Sequence, residues 1–193
     1  MLTLYLAPGS SSMAVHIALN EVGAPFETRA ISFARKTQRE PEFLAVNPEG
    51  KVPALLIDGR LLTEVAGCLW YLARRHPEAG LLPQGDPEAE AQAVSWMSFI
   101  AATLHPARSR GLEHAQAVYA LADARLGGRD WAIGRYSIAD IHLFRLFWRF
   151  RGSLNPAPGA LPNLERHHAR MMLRPAVQRT IAAESAIGYE LPA

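Results

Sequence analysis

Three consecutive serines, Ser10, Ser11 and Ser12, are the first residues in the chain whose types and spacing could carry chemistry. They follow a short apolar run at residues 2–7 and precede apolar residues at helical spacing, which predicts that they begin a helix. The unpaired N–H groups and the dipole at a helix N-terminus favour an anion. A serine hydroxyl is not itself that anion at neutral pH, but it can donate a hydrogen bond to the thiolate of a bound thiol.

Such a loop could lower the pKa of a bound thiol. A shift of that pKa from about 8.5 to about 6.5 requires roughly 2.7 kcal/mol of differential stabilisation, which one hydroxyl and a helix N-terminus can supply together. The alternative is that the three serines only cap the helix, because Ser is a leading N-cap residue. From the local sequence alone, capping is the commoner role.

A proline opens one of the predicted strands, in the pair Val52-Pro53. Proline lacks the N–H donor of a β-ladder, so it is tolerated at the first residue of a strand or on an edge. A cis bond before it would turn the Val52 backbone outward, where an extended peptide ligand could pair with it. An ordinary trans proline at a strand start is the alternative, and the spacing alone does not decide between the two.

Glu64 and His105 stand at predicted helix ends. Glu64 precedes a helix, where it could interact with the helix dipole or bind the ammonium group of a ligand, and the N–H groups of Val65 and Ala66 could bind a ligand carboxylate. His105 ends a long helix before Pro106, where it could complement the dipole or donate a hydrogen bond in a cleft. For both residues the interaction with the dipole is the commoner role.

Residues 1–76 alternate between strand and helix patterns, in the order β-α-β-α-β-β-α. The two adjacent strands flank Asp58-Gly59, a strong signal for a two-residue hairpin. Because this order is short and requires a mixed sheet, it predicts an α/β domain with a thioredoxin-like arrangement of layers. The predicted elements are strands at residues 2–7, 25–31, 52–58 and 60–63, and helices at residues 13–22, 40–46 and 64–75.

The remaining sequence shows helix patterns only. Residues 77–85 are predicted to be a linker, because they are rich in Pro and Gly, and residues 86–193 an all-α domain. Each of the two domains is near the lower size limit for independent stability. We therefore expect them to pack together, with the functional site in the cleft between them.

Helix-start signals divide the second domain. Asp86-Pro87 supplies an N-cap and a first-turn proline, and the segment from Ser137 to Asp140 forms a capping box. The predicted helices run from residue 87 to about residue 105, from 112 to 126, from 138 through the apolar run 141–150, and onward from Pro162 and from Pro175.

The composition excludes several classes of protein. With 193 residues, 49% of them hydrophobic, and a net charge of +2, the chain is predicted to fold and not to be a dedicated nucleic-acid binder. Arg145 and Arg149 alternate with aromatic residues, as RNA-stacking surfaces do, but their helical spacing favours a solvent-exposed stripe. The single cysteine, Cys68, excludes a disulfide framework, and the histidines lack metal-ligand spacing. Since no apolar run could span a membrane and no basic leader precedes the first strand, a cytoplasmic protein without a membrane partner is expected.

Ordered segments along nearly the whole chain carry a resemblance to a known family. These segments are YLAPGSSSMAVHIAL, FLAVNPEGKVPALLIDGRLLTE, SWMSFIAATLH, GRYSIADIHLF and RPAVQ. The chain resembles the glutathione S-transferases, most of all their bacterial beta-class members. The resemblance implies a thioredoxin-like domain that binds glutathione, an α-helical domain that shapes the site of a small hydrophobic electrophile, and usually a homodimer. Glutathione would be a co-substrate, and no cofactor or metal is implied.

Position by position, the cysteine of beta-class enzymes falls on Ser11, and the neighbouring hydroxyl position falls on Ser12. A serine cannot form the mixed disulfide that such a cysteine can form with glutathione. The chain thus resembles the serine-type branches of the superfamily, in which a hydroxyl stabilises the glutathione thiolate. Which of Ser10, Ser11 and Ser12 does so stays open.

Further positions match the family's glutathione site. Pro53 matches the cis-proline, and Val52 the residue whose backbone pairs with the cysteinyl part of glutathione, with Lys51 beside it. Glu64 matches the acidic position beside the γ-glutamyl group, while Val65 stands where other members have Ser or Gly. A backbone contact from Val65 to the glutathione carboxylate would survive that change, whereas a side-chain hydroxyl contact would not.

Two more positions match the family's site. His105 aligns with the beta-class histidine that reaches the site from the helical domain, and Lys36 with a lysine near the glycyl carboxylate. The segment 106–126 is shorter than its counterpart in the family, which predicts an unusually open pocket for the electrophile.

The resemblance implies a transferase in which activated glutathione adds to, or displaces a group from, a hydrophobic electrophile. Glutathione-dependent isomerisation or peroxide reduction is an alternative, since both also use an activated thiolate. A binding or regulatory module that keeps the fold and has lost turnover is a second alternative. Ser11, Val65 and the shortened segment 106–126 motivate it.

Overall fold

The computed structural model describes residues 1–154 and 156–190 and divides the chain into two compact units. The first unit comprises Met1–Arg75 together with the chain from Pro175 onward, and the second comprises His76–Arg174. Each unit contains a cluster of buried apolar side chains of its own.

A four-stranded mixed sheet forms the centre of the first unit. Its strands are β1 (Leu2–Leu6), β2 (Phe26–Ala30), β3 (Ala54–Ile57) and β4 (Arg60–Thr63). Their order is β2-β1-β3-β4, with β1 parallel to β2 and antiparallel to β3, and β3 antiparallel to β4. This topology confirms the predicted thioredoxin-like domain.

The hairpin between β3 and β4 turns at Asp58-Gly59, as predicted. These two residues have positive φ angles of 49° and 81°, as a type I′ turn requires. The turn pairs Ile57 with Arg60. The local sequence is sufficient to specify it, because Gly and Asp adopt positive φ at lower cost than most residues.

Three helices of the first unit follow these strands in the chain: α1 (Ser12–Val22), α2 (Pro41–Val46) and α3 (Val65–Arg75). Their bounds lie within a residue of those predicted from the sequence. Helix α1 is buried from Ser12 to Leu19 and packs against α3. It ends at Gly23, whose φ of 67° forms a left-handed cap with its N–H donated to the Leu19 carbonyl.

The described residues of the second unit form helices joined by turns and loops, without a strand. Its helices are α4 (Pro87–Phe99), α5 (His105–Ala107), α6 (Leu112–Leu126), α7 (Ile138–Leu154) and α8 (Pro162–Met172). Asp86 caps α4 as predicted, because its carboxylate accepts the Ala89 N–H at 3.0 Å. The predicted capping box of α7 is also present, since Asp140 accepts the Ser137 N–H at 2.9 Å.

The helical path that begins at α4 continues past His105, where the sequence predicted its end. A π-helical turn at Ile100–Leu104 joins α4 to α5, and a 3-10 turn at Arg108–Arg110 follows. Pro106 has no N–H to donate, and it lies where the π-helical turn already interrupts the regular α-helical hydrogen-bond pattern. His105 is therefore inside a helical run, and the prediction that it complements a C-terminal helix dipole is wrong.

Helix α7 lies at the centre of the second unit. It contacts α4, α8 and the π-helical turn, and its apolar run is largely buried. Tyr119 of α6 stacks on Phe150 of α7 with ring centroids 4.1 Å apart. Arg145 is only 5% exposed, so the predicted solvent-exposed stripe of Arg145 and Arg149 is wrong at Arg145. The reason is that neighbouring helices enclose α7 on several sides, which helical spacing alone does not reveal.

The last helix, α9 (Pro175–Ile187), belongs to the first unit, although the sequence-based boundary assigned it to the helical domain. It packs against α1, and its buried face carries Val177, Thr180 and Glu184 at helical spacing. Its predicted start at Pro175 is confirmed. Among the described residues, no helix has the length and apolar character needed to cross a membrane.

Candidate active site

The loop from β1 to α1 places the three serines at the N-terminal end of α1. The chain leaves β1 at Leu6 and turns through Gly9, whose φ is 70°, so a residue with a Cβ would be strained there. The Ser10 N–H donates to the Ala7 carbonyl at 3.0 Å and closes the turn. Helix α1 starts directly afterwards, at Ser12. The predicted arrangement of strand, serine loop and helix is confirmed.

Ser12 is fully buried and is bonded within the loop. Its hydroxyl donates to the Ala7 carbonyl at 3.2 Å and accepts the Ala7 N–H at 3.1 Å. The Ser10 hydroxyl lies 2.8 Å from it and accepts the Ser12 N–H at 3.3 Å. Ser10 itself is only 5% exposed. These two hydroxyls therefore hold the loop together, as the alternative interpretation of the serines expected.

Ser11 is the exception among the three serines, because it is half-buried and its hydroxyl does not cap α1. The hydroxyl instead donates to the Val52 carbonyl at 2.9 Å. Of the three, Ser11 alone is a partly accessible residue, and it lies at the helix N-terminus. The N-terminal amides and the dipole of α1 favour an anion at this position.

The segment before β3 meets the serine loop at Val52. The Val52–Pro53 peptide bond is cis, which confirms the interpretation that the family resemblance favoured. The Asn47 side chain is buried and donates to the Lys51 carbonyl at 2.8 Å. This hydrogen bond holds the backbone just before the cis peptide bond. The Ser11 hydroxyl and the residue before the cis-proline are thus in direct contact.

Glu64 lies just before α3 and has a backbone conformation that few residues adopt. Its φ is 62°, in the left-handed region that is strained for a residue with a side chain. Its carbonyl accepts the Cys68 N–H at 3.0 Å and so begins the helix, while its side chain is exposed. Val65 is buried as the first residue of α3. Strain of this kind persists where the surrounding structure fixes it, which is common at binding sites.

The two lysines lie on exposed loops of the first unit. Lys36 has a φ of 57° and precedes a 3-10 turn at Thr37–Arg39. Lys51 lies 3.6 Å from Glu49, through its Nζ atom and the carboxylate. Within residues 1–154 and 156–190, no hydrogen bond or ion pair links either lysine to the serine loop.

His105 is an exposed residue of the second unit. The protein around it removes enough water to lower the pKa of the imidazole, and the positive charges of Arg145 and Arg108 lower it further. The ring is therefore mostly neutral at pH 7. Nearby His142 is deeply buried, and its pKa falls to about 3 for the same reasons: burial first, then Arg145 and His105.

A residue that the sequence interpretation missed holds the serine loop from behind. Glu184 of α9 is fully buried, and its Oε2 atom accepts the Gly9 N–H at 2.6 Å. Its Oε1 atom lies 2.9 Å from Nδ1 of His16 in α1. The one available signal was a charged residue on the face of α9 that also carries Val177 and Thr180. Nothing local indicates its partners, because Gly9 is 175 residues away in the chain.

Metal and free-thiol chemistry receive no support from the part of the chain that the structure describes. There, no group of three His, Cys, Asp or Glu side chains could hold a metal ion. Cys68 is buried in α3, and burial, followed by the charge of Glu64, raises the pKa of its thiol to about 12. Such a thiol is inert, since the thiolate is the reactive form.

Comparison with known families adds to this geometry. Residues 1–74 match the family described as "Glutathione S-transferase, N-terminal domain", and residues 71–175 match "Glutathione S-transferase, C-terminal domain". The two matches together span most of the chain. The first covers the serine loop, Val52-Pro53 and Glu64, and the second covers His105.

Individual relatives match over nearly their full length. A glutathione S-transferase of Xanthomonas campestris pv. campestris is 32% identical, with 94% of this chain and 98% of the relative aligned. The solved structure of a sphingomonad glutathione S-transferase complexed with glutathione is 34% identical, with a TM-score of 0.85 over 95% of this chain and 98% of that chain. A beta-class glutathione S-transferase of Sphingomonas chungbukensis is 31% identical, with a TM-score of 0.82 over 94% and 98%.

Proposed function

The chain belongs to the glutathione S-transferase superfamily and is a glutathione transferase, and from this premise we propose that the Ser11 hydroxyl stabilises the thiolate of bound glutathione. One observation carries the assignment to Ser11. Of the three serines in the loop, it alone is partly accessible, and its hydroxyl does not cap α1. The hydroxyls of Ser10 and Ser12 are committed to the loop itself.

The proposed chemistry starts with ionisation of the glutathione thiol, whose proton leaves to solvent. The Ser11 hydroxyl rotates from the Val52 carbonyl and donates to the sulfur, and the N-terminal amides of α1 add to the stabilisation. The thiolate then attacks the electrophile. A carbon–sulfur bond forms while the leaving group departs with its electron pair, or, in an addition, while the adduct takes up a proton.

We propose that the protein is a beta-class relative with serine at the cysteine position. The likeness to the Sphingomonas chungbukensis enzyme supports this placement. The replacement has a chemical consequence, because an oxygen cannot form a mixed disulfide with glutathione. Activation of the thiolate is therefore the reaction that Ser11 can support.

We assign the rest of the glutathione site to the first unit. The Val52 backbone, next to cis Pro53, would pair with the cysteinyl part. The N-terminus of α3 at Val65 would bind the γ-glutamyl carboxylate through N–H groups, with Glu64 near the ammonium group. The positive φ of Glu64 supports a constrained role there. Lys36 and Lys51 would bind the glycyl carboxylate from exposed loops, where their charged ends can move to a ligand.

The second substrate is a small hydrophobic electrophile, which we assign to the helical unit together with His105. Because the pKa of His105 is lowered, the side chain would act as a neutral hydrogen-bonding group and not as a cation. We further propose a homodimer in the cytoplasm that needs no cofactor and has no membrane or nucleic-acid partner.

The deciding experiment is a calorimetric titration with reduced glutathione at pH 7 in two buffers of different ionisation enthalpy, which counts the protons released on binding. Wild-type protein should release most of one proton. Ser11→Ala should bind glutathione with little change in affinity and release far fewer protons, whereas Ser11→Thr, which keeps the hydroxyl, should behave like wild type. Equal proton release by Ser11→Ala and wild type would exclude the proposed role of Ser11.

The same titration addresses the alternatives. Binding without proton release would leave a glutathione carrier, and no binding at millimolar glutathione would favour the regulatory module. Where a proton is released, turnover of an activated aryl chloride, of a cis-configured enone and of a hydroperoxide separates transfer from isomerisation and peroxide reduction.

A further inference from the structure

Two carboxyl groups near the end of the chain reach loops that carry proposed glutathione-site residues. We propose that Glu184 and Glu190 are positioning residues of the active site: Glu184 fixes the serine loop that presents Ser11, and Glu190 fixes the loop that presents Lys36. The proposal rests on the function proposed for Ser11 and extends the site to α9 and the residues that follow it.

Glu184 joins both sides of the serine loop. Its two carboxyl oxygens contact Gly9, two residues before Ser11, and His16, five residues after it. The side chain of His16 is also almost fully buried and lies edge-on to the ring of Phe26 in β2. The backbone of the loop and the body of α1 are thus held by one rigid group.

The burial of Glu184 shows that this arrangement has a cost. Placing a carboxyl group where water cannot reach it is unfavourable unless both oxygens find partners. An apolar side chain would fill the same space without that cost but would leave the Gly9 N–H without this acceptor. A buried polar group of this kind is useful where it fixes one geometry among several.

A second polar contact on the same helix serves as a comparison. Thr180, also fully buried, accepts the Asn20 side-chain N–H at 2.9 Å near the far end of α1. It ties α9 to α1 as Glu184 does, but it does not contact the serine loop. A change at Thr180 should therefore loosen α9 without moving Ser11.

Glu190 closes the loop that leads to Lys36. Its two oxygens accept the Ser32 hydroxyl at 2.9 Å and the Ala34 N–H at 3.1 Å. The Ser32 N–H in turn donates to the Thr37 hydroxyl at 2.8 Å, so the turn around Lys36 is bonded at both ends. The bonds from Ala34 and Ser32 also hold the pKa of the Glu190 carboxyl below its ordinary value, because both donate to its charged form.

The two contacts should affect different steps of the reaction. Ser11 acts on the sulfur, and an error of about 1 Å in a positioned donor is enough to reduce its effect strongly. Loss of the Glu184 contact should therefore raise the pKa of the bound thiol. Loss of the Glu190 contact should weaken glutathione binding and leave that pKa where it is, because Lys36 would bind a carboxylate remote from the sulfur.

The test measures the pKa of enzyme-bound glutathione from the ultraviolet absorbance of its thiolate, together with kcat and KM for an activated aryl chloride. The full-length variants are Glu184→Ala, Glu184→Asp, Glu184→Gln, Glu190→Ala and the matched control Thr180→Val. Glu184→Ala and Glu184→Asp should raise the thiol pKa by about one unit, which is a roughly tenfold smaller thiolate fraction below both pKa values. Glu184→Gln should restore the wild-type pKa, since an amide can accept from Gly9 and donate to Nδ1 of His16.

Thr180→Val should lower stability without moving the thiol pKa. Glu190→Ala should raise KM for glutathione several-fold at constant thiol pKa. Glu184→Asp keeps a buried carboxyl group on a shorter side chain, so it tests the role of Glu184 if Glu184→Ala does not fold. The proposal is wrong if folded Glu184→Ala and Glu184→Asp keep the wild-type thiol pKa, or if Thr180→Val shifts that pKa as much as these two variants do.

Failure of the proposal can be told apart from failure of the proposed function. If wild type itself does not lower the thiol pKa, the role of Ser11 is excluded, and positioning is then tested by amide hydrogen exchange at Gly9. This exchange should be faster in Glu184→Asp than in Thr180→Val if the Glu184 contact holds the loop. Equal exchange in the two variants would overturn the positioning role without reference to activity.

Discussion

The two units of the protein control charge by different means. In the first unit the hydroxyls of Ser10 and Ser12 are hydrogen-bonded within the serine loop, and the positive end of α1 lies at Ser11, the partly accessible serine. In the second unit the control acts on ionisable side chains. Burial and neighbouring arginines hold the pKa of His105 and of His142 below the ordinary value. The backbone of one unit favours a negative charge, whereas the packing of the other disfavours positive charge on the imidazoles of His105 and His142.

The comparison also shows where a polar group is structural and where it is available for chemistry. Asp140 and Ser12 are both fully buried and bonded to backbone groups, so they serve the fold. Ser11 and His105 keep accessible surface. Substitutions at the first pair should therefore act on stability and at the second pair on activity, and this distinction can be tested.

The largest effect is expected in the second unit, for Asp140→Ala. The Asp140 carboxylate accepts the Ala132 N–H at 2.7 Å and the Ser137 N–H at 2.9 Å, and it lies 3.0 Å from Nε2 of His167. Removing it leaves several buried polar groups unpaired, so the free energy of unfolding should fall by roughly 3–5 kcal/mol. Urea denaturation measures this, with Ser137→Ala as a control that should cost about 1 kcal/mol. A similar loss for both variants would show that the capping hydroxyl matters as much as the carboxylate.

The next effect separates two adjacent serines of the first unit. Ser12→Ala leaves the buried Ala7 N–H without this acceptor and should lower the free energy of unfolding by about 1–3 kcal/mol. Ser11→Ala should change it by less than about 0.5 kcal/mol, while the rate of glutathione transfer at pH 7 falls about tenfold. Denaturation and initial-rate kinetics on both variants check this, and a reversed pattern would move the catalytic role to Ser12.

The third effect is a pH dependence of the free energy of unfolding, caused by His142 in the second unit. Because the pKa of His142 is about 3 in the folded protein against 6.5 for the free side chain, the unfolded chain takes up the proton first as the pH falls. The contribution to stability is complete above pH 6.5 and decreases toward pH 3, by about 1.4 kcal/mol per pH unit at most.

Urea denaturation of wild type and His142→Leu between pH 7 and pH 5 tests this expectation. The variant should lose less stability than wild type as the pH falls, because it lacks the buried imidazole whose pKa is lowered. The Nδ1 atom of that imidazole has no hydrogen-bond partner in the described structure. Parallel stability curves for the two proteins would contradict it.

The smallest effect is expected for the pair of Lys51 and Glu49 in the first unit. Both side chains are largely exposed and their charges lie 3.6 Å apart, so Glu49→Gln should change the free energy of unfolding by less than about 0.5 kcal/mol. Lys51→Gln should be equally mild in stability but should raise KM for glutathione. A change in stability without a change in KM would remove Lys51 from the proposed site.

Much of the fold could be predicted from the sequence because its signals are local. The Asp58-Gly59 turn, the capping box from Ser137 to Asp140 and the N-cap at Asp86 each depend on residues within a few positions of one another. The order of strands and helices then limits the first unit to a small set of topologies. The sequence failed on the end of the helical run after His105, on the exposure of Arg145 and on the unit to which α9 belongs. The last two depend on which helices pack together.

The amino-acid sequence by itself determined the elements, the mixed sheet and the position of the serine loop at the start of α1. Only the tertiary structure decided which serine stays partly accessible, and that α9 belongs to the first unit with Glu184 against Gly9. The physical reason is the range of the interactions. Periodicity, capping and turn conformation are set by neighbours in the chain, whereas burial and the pairing of a carboxyl group with an amide 175 residues away are set by packing.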